Sequence, residues 1–425
     1  MTMNRMIFGA FAGVGLLLAP TANAATLTVL VDSNTESVNA MQALTEAYSQ
    51  AHPDVTFDLE TRPGGSEGDN IIKTRLAIGE MADIFNYNAG SLFLNLKPIQ
   101  TLADLSDLPS QSTIKPVFKP GVTSVDGKVR GVPFGAARGG GIFYNKKIYA
   151  DIGLQVPVTW QQFMENNKKI KEAGFVPVVQ TYGTSWTSQV LFLGDFFNIQ
   201  AKQPDFAKLY TENKAKYATD PVAFRSFEKL EEIAKADYLN KDYGAATIDD
   251  GLRMIADAKG AHYPMLSHGI RALLKDDPKA AESIGYFAVP GDDDEHNGLT
   301  AWLPPALYVP AASPNLEAAK QFVDWAASVN GCETMIKAIG ASGPYMIDGC
   351  ALPTNLPSPV ADMIPYFQTE GRTAPALEFL SPVKGPALEQ ITVEIGSGIK
   401  TAKQGAALYD ADVGKQAKQL GLPNW

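Results

Sequence analysis

Short β-branched runs alternate along this chain with stretches whose apolar residues recur every three or four positions. That alternation confines the fold to helices layered on sheet. Thr26–Val31 is apolar and β-branched and reads as a strand. A polar turn, Asp32–Glu36, follows it. Val38, Met41, Leu44 and Tyr48 then fall on one face of an amphipathic helix, with Ser37 as the expected cap and His52-Pro53 as the stop. Val55–Glu60 is a second strand. Asp69–Ile78 reads as a helix ended by Gly79, ahead of a third strand at Ala82–Phe85. The pattern recurs with strands at Gly141–Tyr144 and Val176–Gln180. Further helices are expected at Thr159–Ala173 (capped by Thr159), Asp220–Ala236 and Leu316–Val329. Such alternation predicts a largely parallel sheet. About 400 residues follow the leader described next, too many for one compact core, so two domains are expected.

Met1–Ala24 has a basic start at Arg5, an uncharged apolar run Met6–Ala19 and the ending Ala22-Asn23-Ala24. This is the form of a secretory signal peptide cleaved after Ala24, and its apolar run is too short for the ~20 residues of a membrane span. A soluble, periplasmic product is expected. Formal charge is −10, and loss of Arg5 makes the mature chain more acidic still. An acidic chain with no basic run is a poor nucleic-acid binder, because that affinity comes from neutralising phosphates. Apolar content of 45% with 19% charged residues is that of a globular protein. Cys332 and Cys350 are the two cysteines. An even count at short separation in an oxidising compartment suggests a disulfide, with two buried thiols as the alternative.

Several segments line up in order with one family. Gly131-Val132-Pro133-Phe134 is followed by Gly141-Ile142-Phe143-Tyr144-Asn145-Lys146-Lys147, then Gly153-Leu154 and Val156-Pro157-Val158-Thr159-Trp160 leading to Phe163. Upstream stands Leu76-Ala77-Ile78-Gly79-Glu80-Met81-Ala82-Asp83-Ile84, and downstream Gly260-Ala261-His262-Tyr263-Pro264-Met265. Trp302–Pro310 and Asn315–Trp325 complete the set. Together they resemble extracellular solute-binding protein family 1, the carbohydrate-type solute-binding proteins of bacterial ABC importers. The resemblance covers most of the mature chain. It implies a two-lobed α/β Venus-flytrap, closed by hinge bending on a sugar that is then handed to membrane permease subunits. It implies an N-terminal lobe of 25–135 with 303–343 and a C-terminal lobe of 136–302 with 344–425. Crossings are expected near Pro133–Arg138, Leu299–Pro305 and Gly343–Tyr345. A monomer without a cofactor is the family expectation.

A sugar site needs aromatic plates for C–H faces and fixed polar groups for hydroxyls. Candidates in suitable loops are Asn34, Glu36, Asn88, Ser91, Arg138, Tyr182, Trp186, Asp195, His268, Trp302, Tyr345 and Arg372. Gly139–Gly141 beside Arg138 would let a ligand approach the backbone. Each candidate competes with a plainer role. Trp186 and Trp302 could be core, and Arg138 and Arg372 could be structural ion pairs. Glu36 could serve the helix dipole, and Asn88 a turn. Two departures from the family pattern weaken the choice of ligand class. Leu266-Ser267-His268 stands where relatives often carry a stacking Trp, so His268 would hydrogen-bond instead. A frequent Trp after the first strand is replaced by the neighbourhood of Asn34.

Other motifs fail their own requirements. Gly291–Asn297 is acidic but lacks the EF-hand positions, and reads as a solvated turn. His262 and His268 lack zinc-ligand spacing. Gly340–Pro344 lacks the last glycine of a nucleophile elbow, and Gly139–Gly141 lacks the Lys-Ser/Thr of a P-loop. A non-catalytic sugar receptor is therefore the leading reading. The rivals are a secreted carbohydrate-active enzyme using paired carboxylates and the same fold holding a polyamine, metal complex or phosphate ester.

Overall fold

The computed structural model describes residues 25–271, 273 and 277–425. The expected leader lies outside them. Two sheets form. The first contains β1 (Ala25–Asp32), β2 (Val55–Arg62), β3 (Ile84–Tyr87), β4 (Gly131–Pro133) and β10 (Ala306–Tyr308), in the order β2-β1-β3-β10-β4. β1 runs parallel to β2 from Ala25 opposite Val55 to Asp32 opposite Arg62, and is also parallel to β3. Leu27, Val29, Leu30 and Val31 are buried on both faces of β1. The helix Thr35–Ala51 lies against this sheet through Met41, Leu44 and Tyr48, each worth about 1.5–3 kcal/mol when fully buried. Its cap is Asn34 and not Ser37. The Asn34 side chain accepts the Ser37 N–H at 2.8 Å.

The second sheet holds β5 (Arg138–Asn145), β6 (Val176–Val178), β7 (Gly260–Leu266), β8 (Ile284–Ala288), β9 (Leu299–Trp302) and β11 (Thr373–Pro375). β5 is its spine, with β7 on one side and β8 and β9 sharing the other, all antiparallel. The expectation of a largely parallel sheet is thus corrected. Strands that follow their own covering helix run parallel, as β1, β2 and β3 do. Strands next to an interlobe crossing carry the antiparallel pairs: β10 with β3 and β4, and β5 with β9, although β9 is parallel to β11 on its other side. The glycine run is also corrected. A Cβ on Gly140 would collide with the Trp302 ring, one on Gly141 with the Phe287 carbonyl, and one on Gly139 with Leu299 and Met363. The missing side chains make room for protein, not for a ligand.

The chain leaves the first sheet after β4, returns between β9 and β10, and leaves again beyond Ile347. Tyr345, Met346 and Ile347 still pack in the first lobe's core, a few residues past the expected third crossing. The expected Leu316–Val329 helix ends at Ala326, and Ser328 caps a further helix, Val329–Ile339, by accepting the Gly331 N–H. Cys332 in the second of these is bonded to Cys350, their Cα atoms 6.2 Å apart. Among the described residues no helix is long and apolar enough to cross a membrane.

In the second lobe, β7 carries His262, fully buried between Asn167 Oδ1 at 2.8 Å and the Tyr149 hydroxyl at 2.6 Å. Burial pushes its pKa from 6.5 down to about 3. The folded ring therefore stays neutral while the unfolded ring takes a proton below pH 6.5, so stability falls as pH drops from neutral. Urea unfolding should show a loss of about 1.4 kcal/mol from His262 between pH 7.5 and 5.5. His262→Gln should remove that part of the dependence and leave the share from His268, whose burial lowers its pKa in the same way. Equal slopes for the two proteins would contradict the assignment.

Candidate functional site

Two adjacent cavities, of about 640 and 450 Å³, lie between the lobes and share Ser33, Asn34, Thr184, Ile248 and His268 in their walls. The larger is closed on the first-lobe side by the turn Ser33–Glu36 and by Ala338–Ile339. Thr247–Asp249, Met265, His268 and Arg271 face them. The smaller is lined from the first lobe by Asp32, Gly64, Asp69, Asn88 and Ala89. Arg138, Trp186, Gln189 and Trp302 stand opposite, with Glu378, Phe379 and Glu389 from the C-terminal third.

Local structure explains these positions. Asp32 ends β1, and its carboxylate accepts the Asn34 amide N–H at 2.7 Å and faces Arg62 Nη1 at 3.5 Å. This pins the turn, so Glu36 enters the first helical turn with its side chain in the cleft. Glu36 Oε1 then lies 3.7 Å from Arg138 Nη2 and 3.7 Å from Arg271 Nη1, both from the other lobe. Burial would raise the Glu36 pKa, but Arg271 and Arg138 outweigh it and hold the carboxyl below its ordinary value. His268 is pushed down to about 3 by burial and by the adjacent Arg138. Its ring lies parallel to Trp186 with centroids 6.3 Å apart, and the two form one wall. Trp302 ends β9 opposite Arg138, seated over Gly140.

Asn34, Glu36, Asn88, Arg138, Trp186, His268 and Trp302 thus come together at the cavities. The other candidates do not line them. Asp195 is buried inside the second lobe, 2.5 Å from Lys229 Nζ and 2.7 Å from the Ser226 hydroxyl. Arg372 donates to Asn297 O and Oδ1 at 2.9 Å each and lies 4.4 Å over the Tyr366 ring. Tyr182 packs edge-on to Tyr243 with centroids 5.3 Å apart, and Ser91 is buried at the start of the helix Ser91–Leu94. Tyr345 is buried in the first lobe beside Arg271. The acidic loop is tied down by Arg225 at 3.1 Å from Asp292 and Lys202 at 2.9 Å from Asp293. Among the described residues no group of three or more His, Cys, Asp or Glu is placed to hold a metal ion.

Sequence reasoning missed Arg271, Asp32, Asp69, Asp249 and Glu389. Arg271 had one available signal: it follows His268 by three residues, one helical turn. Its Nη2 also donates to Gly340 O at 3.0 Å and to the Ser342 hydroxyl at 2.9 Å, in the segment leading to the third crossing.

A cleft between two α/β lobes joined by three crossings defines a two-lobed solute-binding protein. The model of the bacterial extracellular solute-binding protein family matches residues 32–330, and the chain belongs to that family. It is 22% identical over 321 residues to a multiple sugar-binding protein of Streptococcus mutans, covering 75% of this chain and 74% of that one. It is 29% identical over 234 residues to the diacetylchitobiose binding protein DasA of Streptomyces coelicolor, covering 53% and 52%. Among solved structures, a chitin oligosaccharide binding protein superposes with a TM-score of 0.80 at 20% identity, over 93% of this chain and 100% of that one. RafE in complex with raffinose superposes with a TM-score of 0.75 at 21% identity, over 93% and 99%.

Glu36 carries a pH-dependent link between the lobes. Its lowered pKa means that its contribution is full above pH 4.5 and is lost as pH falls through the folded value. Glu36→Gln should cost about 1–3 kcal/mol at pH 7, measured by urea unfolding, because it leaves two enclosed guanidinium groups without a counter-charge. The gap from wild type should narrow as pH falls below 4.5. A gap that is constant with pH would show that the charge is not what matters.

Proposed function

We propose that this protein is the periplasmic substrate-binding component of an ABC importer, capturing a sugar, best an oligosaccharide, and delivering it to the permease subunits. The observation that carries this reading is the composition of the cleft. Two tryptophans, one of them stacked on His268, stand across from a row of fixed carboxylates and amides. Aromatic faces suit the C–H surfaces of sugar rings, and carboxylate, guanidinium and amide groups suit their hydroxyls. Two cavities in series suit more than one ring. The sugar-binding relatives support the same class. In this reading the protein is a receptor and not a catalyst, works as a monomer without a cofactor, and loses its leader after Ala24 on export. A first lobe of 25–135 with 303–347 and a second lobe of 136–302 with 348–425 would close on the sugar. Closure follows if the sugar binds the closed arrangement better than the open one.

Tryptophan fluorescence of the mature protein, titrated with mono- and oligosaccharides while the sugars are checked for cleavage, tests the proposal. A saturable change without cleavage is expected for one sugar class. Trp186→Ala should weaken that sugar about 10-fold, the loss of one stacking contact. Cleavage would replace the receptor with an enzyme, and silence across the panel would remove sugar as the ligand.

A further inference from the structure

The larger cavity holds polar atoms that the protein itself leaves without partners. Among the described residues, Glu36 Oε2, Arg271 Nε and His268 Nδ1 of its walls are buried and make no hydrogen bond, and neither does Arg138 Nε on the smaller cavity beside it. Glu36 and Arg271 have side chains only 9% and 8% exposed. Their charged atoms approach at 3.7 Å, too long for a direct hydrogen bond. Enclosed polar groups of this kind are costly unless something pairs with them, and a cleft open to solutes can receive that partner.

The unpaired set is mixed. Glu36, held ionised, can only accept, and the guanidinium groups can only donate. Two neighbouring hydroxyls match this set, because each can donate to the carboxylate and accept from the guanidinium. A carboxylate or phosphate on the ligand would satisfy the arginines but would face the Glu36 charge at close range. A free amine would suit Glu36 and be repelled by the two arginines. We infer that the larger cavity is a terminal subsite for an uncharged sugar ring, gripped through a vicinal diol by Glu36 and Arg271. This deepens the sugar-receptor reading and rests on it. The aromatic wall of the smaller cavity then carries the remaining rings by their faces, with less demand on hydroxyl pattern. The end ring sets specificity.

Isothermal titration calorimetry of the wild type, Glu36→Gln and Arg271→Gln tests this, with raffinose, stachyose, diacetylchitobiose, xylobiose and digalacturonate as the probes. One neutral probe should bind the wild type, and digalacturonate should not. Each variant should lose about 10- to 100-fold for that neutral probe, the loss of a hydrogen bond to a charged group. Arg271 also holds the hinge, so near-UV circular dichroism must confirm that its variant is folded. Glu36→Gln, which keeps the side chain's shape, decides the matter if Arg271→Gln is not. Neutral-probe binding unchanged in Glu36→Gln would overturn the diol grip and leave the receptor reading standing. So would tighter binding of digalacturonate than of every neutral probe. If no probe binds the wild type, the sugar reading fails and the subsite fails with it.

Discussion

Strand β5 must carry neighbours on both sides while a tryptophan lies across its first turn of backbone, and only a strand with no side chains at Gly139–Gly141 can do so. Much else depends on that packing. β5 begins where the chain arrives from the first lobe, so its register fixes the direction of Arg138 into the cleft. Its pairing with β9 sets Trp302 opposite Arg138, one residue before the chain starts back. The sheet's spine, two of the crossings and two cleft residues are therefore held by one run of backbone. A larger residue at Gly140 would displace Trp302 and disturb the cleft wall together with the sheet edge.

The electrostatics of the cleft are arranged around this frame. Glu36 remains charged because two guanidinium groups from the opposite lobe outweigh its burial. His268 remains neutral because burial and the same cationic neighbourhood oppose its protonation. Around neutral pH neither group changes state, so the wall presents fixed donors and acceptors to a solute. The contacts between the lobes near the cavities are long ion pairs and single hydrogen bonds, such as Ser66 to Glu389 at 3.5 Å. Such links are few and long, so a bound solute that completes them can add a large share of the free energy that holds the lobes together.

Much of this was legible from the chain, and the limits have physical causes. Periodicity located the helices because their buried faces, such as Phe227, Leu230 and Ile233, are written at local spacing. Cap residues were clear where the motif is local, as in the Thr159–Gln162 capping box, and misplaced by three residues where Asn34 outcompeted Ser37. The order of motifs implied two lobes. Strand direction was missed because an interlobe crossing reverses it without leaving a local mark. The same distinction sorts the candidate site. Asn34 and Trp302 sit at a turn and a strand end, and Glu36 and Trp186 open the helices Thr35–Ala51 and Ser185–Gln189, places that this fold points into the cleft. Asp195 and Arg372 looked similar, but their partners lie far along the sequence. Lys229 is 34 residues away from one, and Asn297 is 75 from the other. A buried pair assembled from distant segments cannot be told from a ligand contact by sequence alone.

Arg271 shows why one residue can matter to both recognition and movement. One edge of its guanidinium grips Gly340 O and the Ser342 hydroxyl, next to the third crossing, and another faces Glu36 across the cleft. Gly340 has φ of 70°, a conformation that a side chain would resist, so its carbonyl direction is set by the backbone. The Cys332–Cys350 disulfide closes the loop that contains this segment and limits how far it can drift from the first lobe. A solute that engages the free edge of Arg271 therefore pulls on a group already fastened to the hinge. Binding and lobe position share one side chain, so occupancy and closure are coupled through direct contacts, without a longer path through the core.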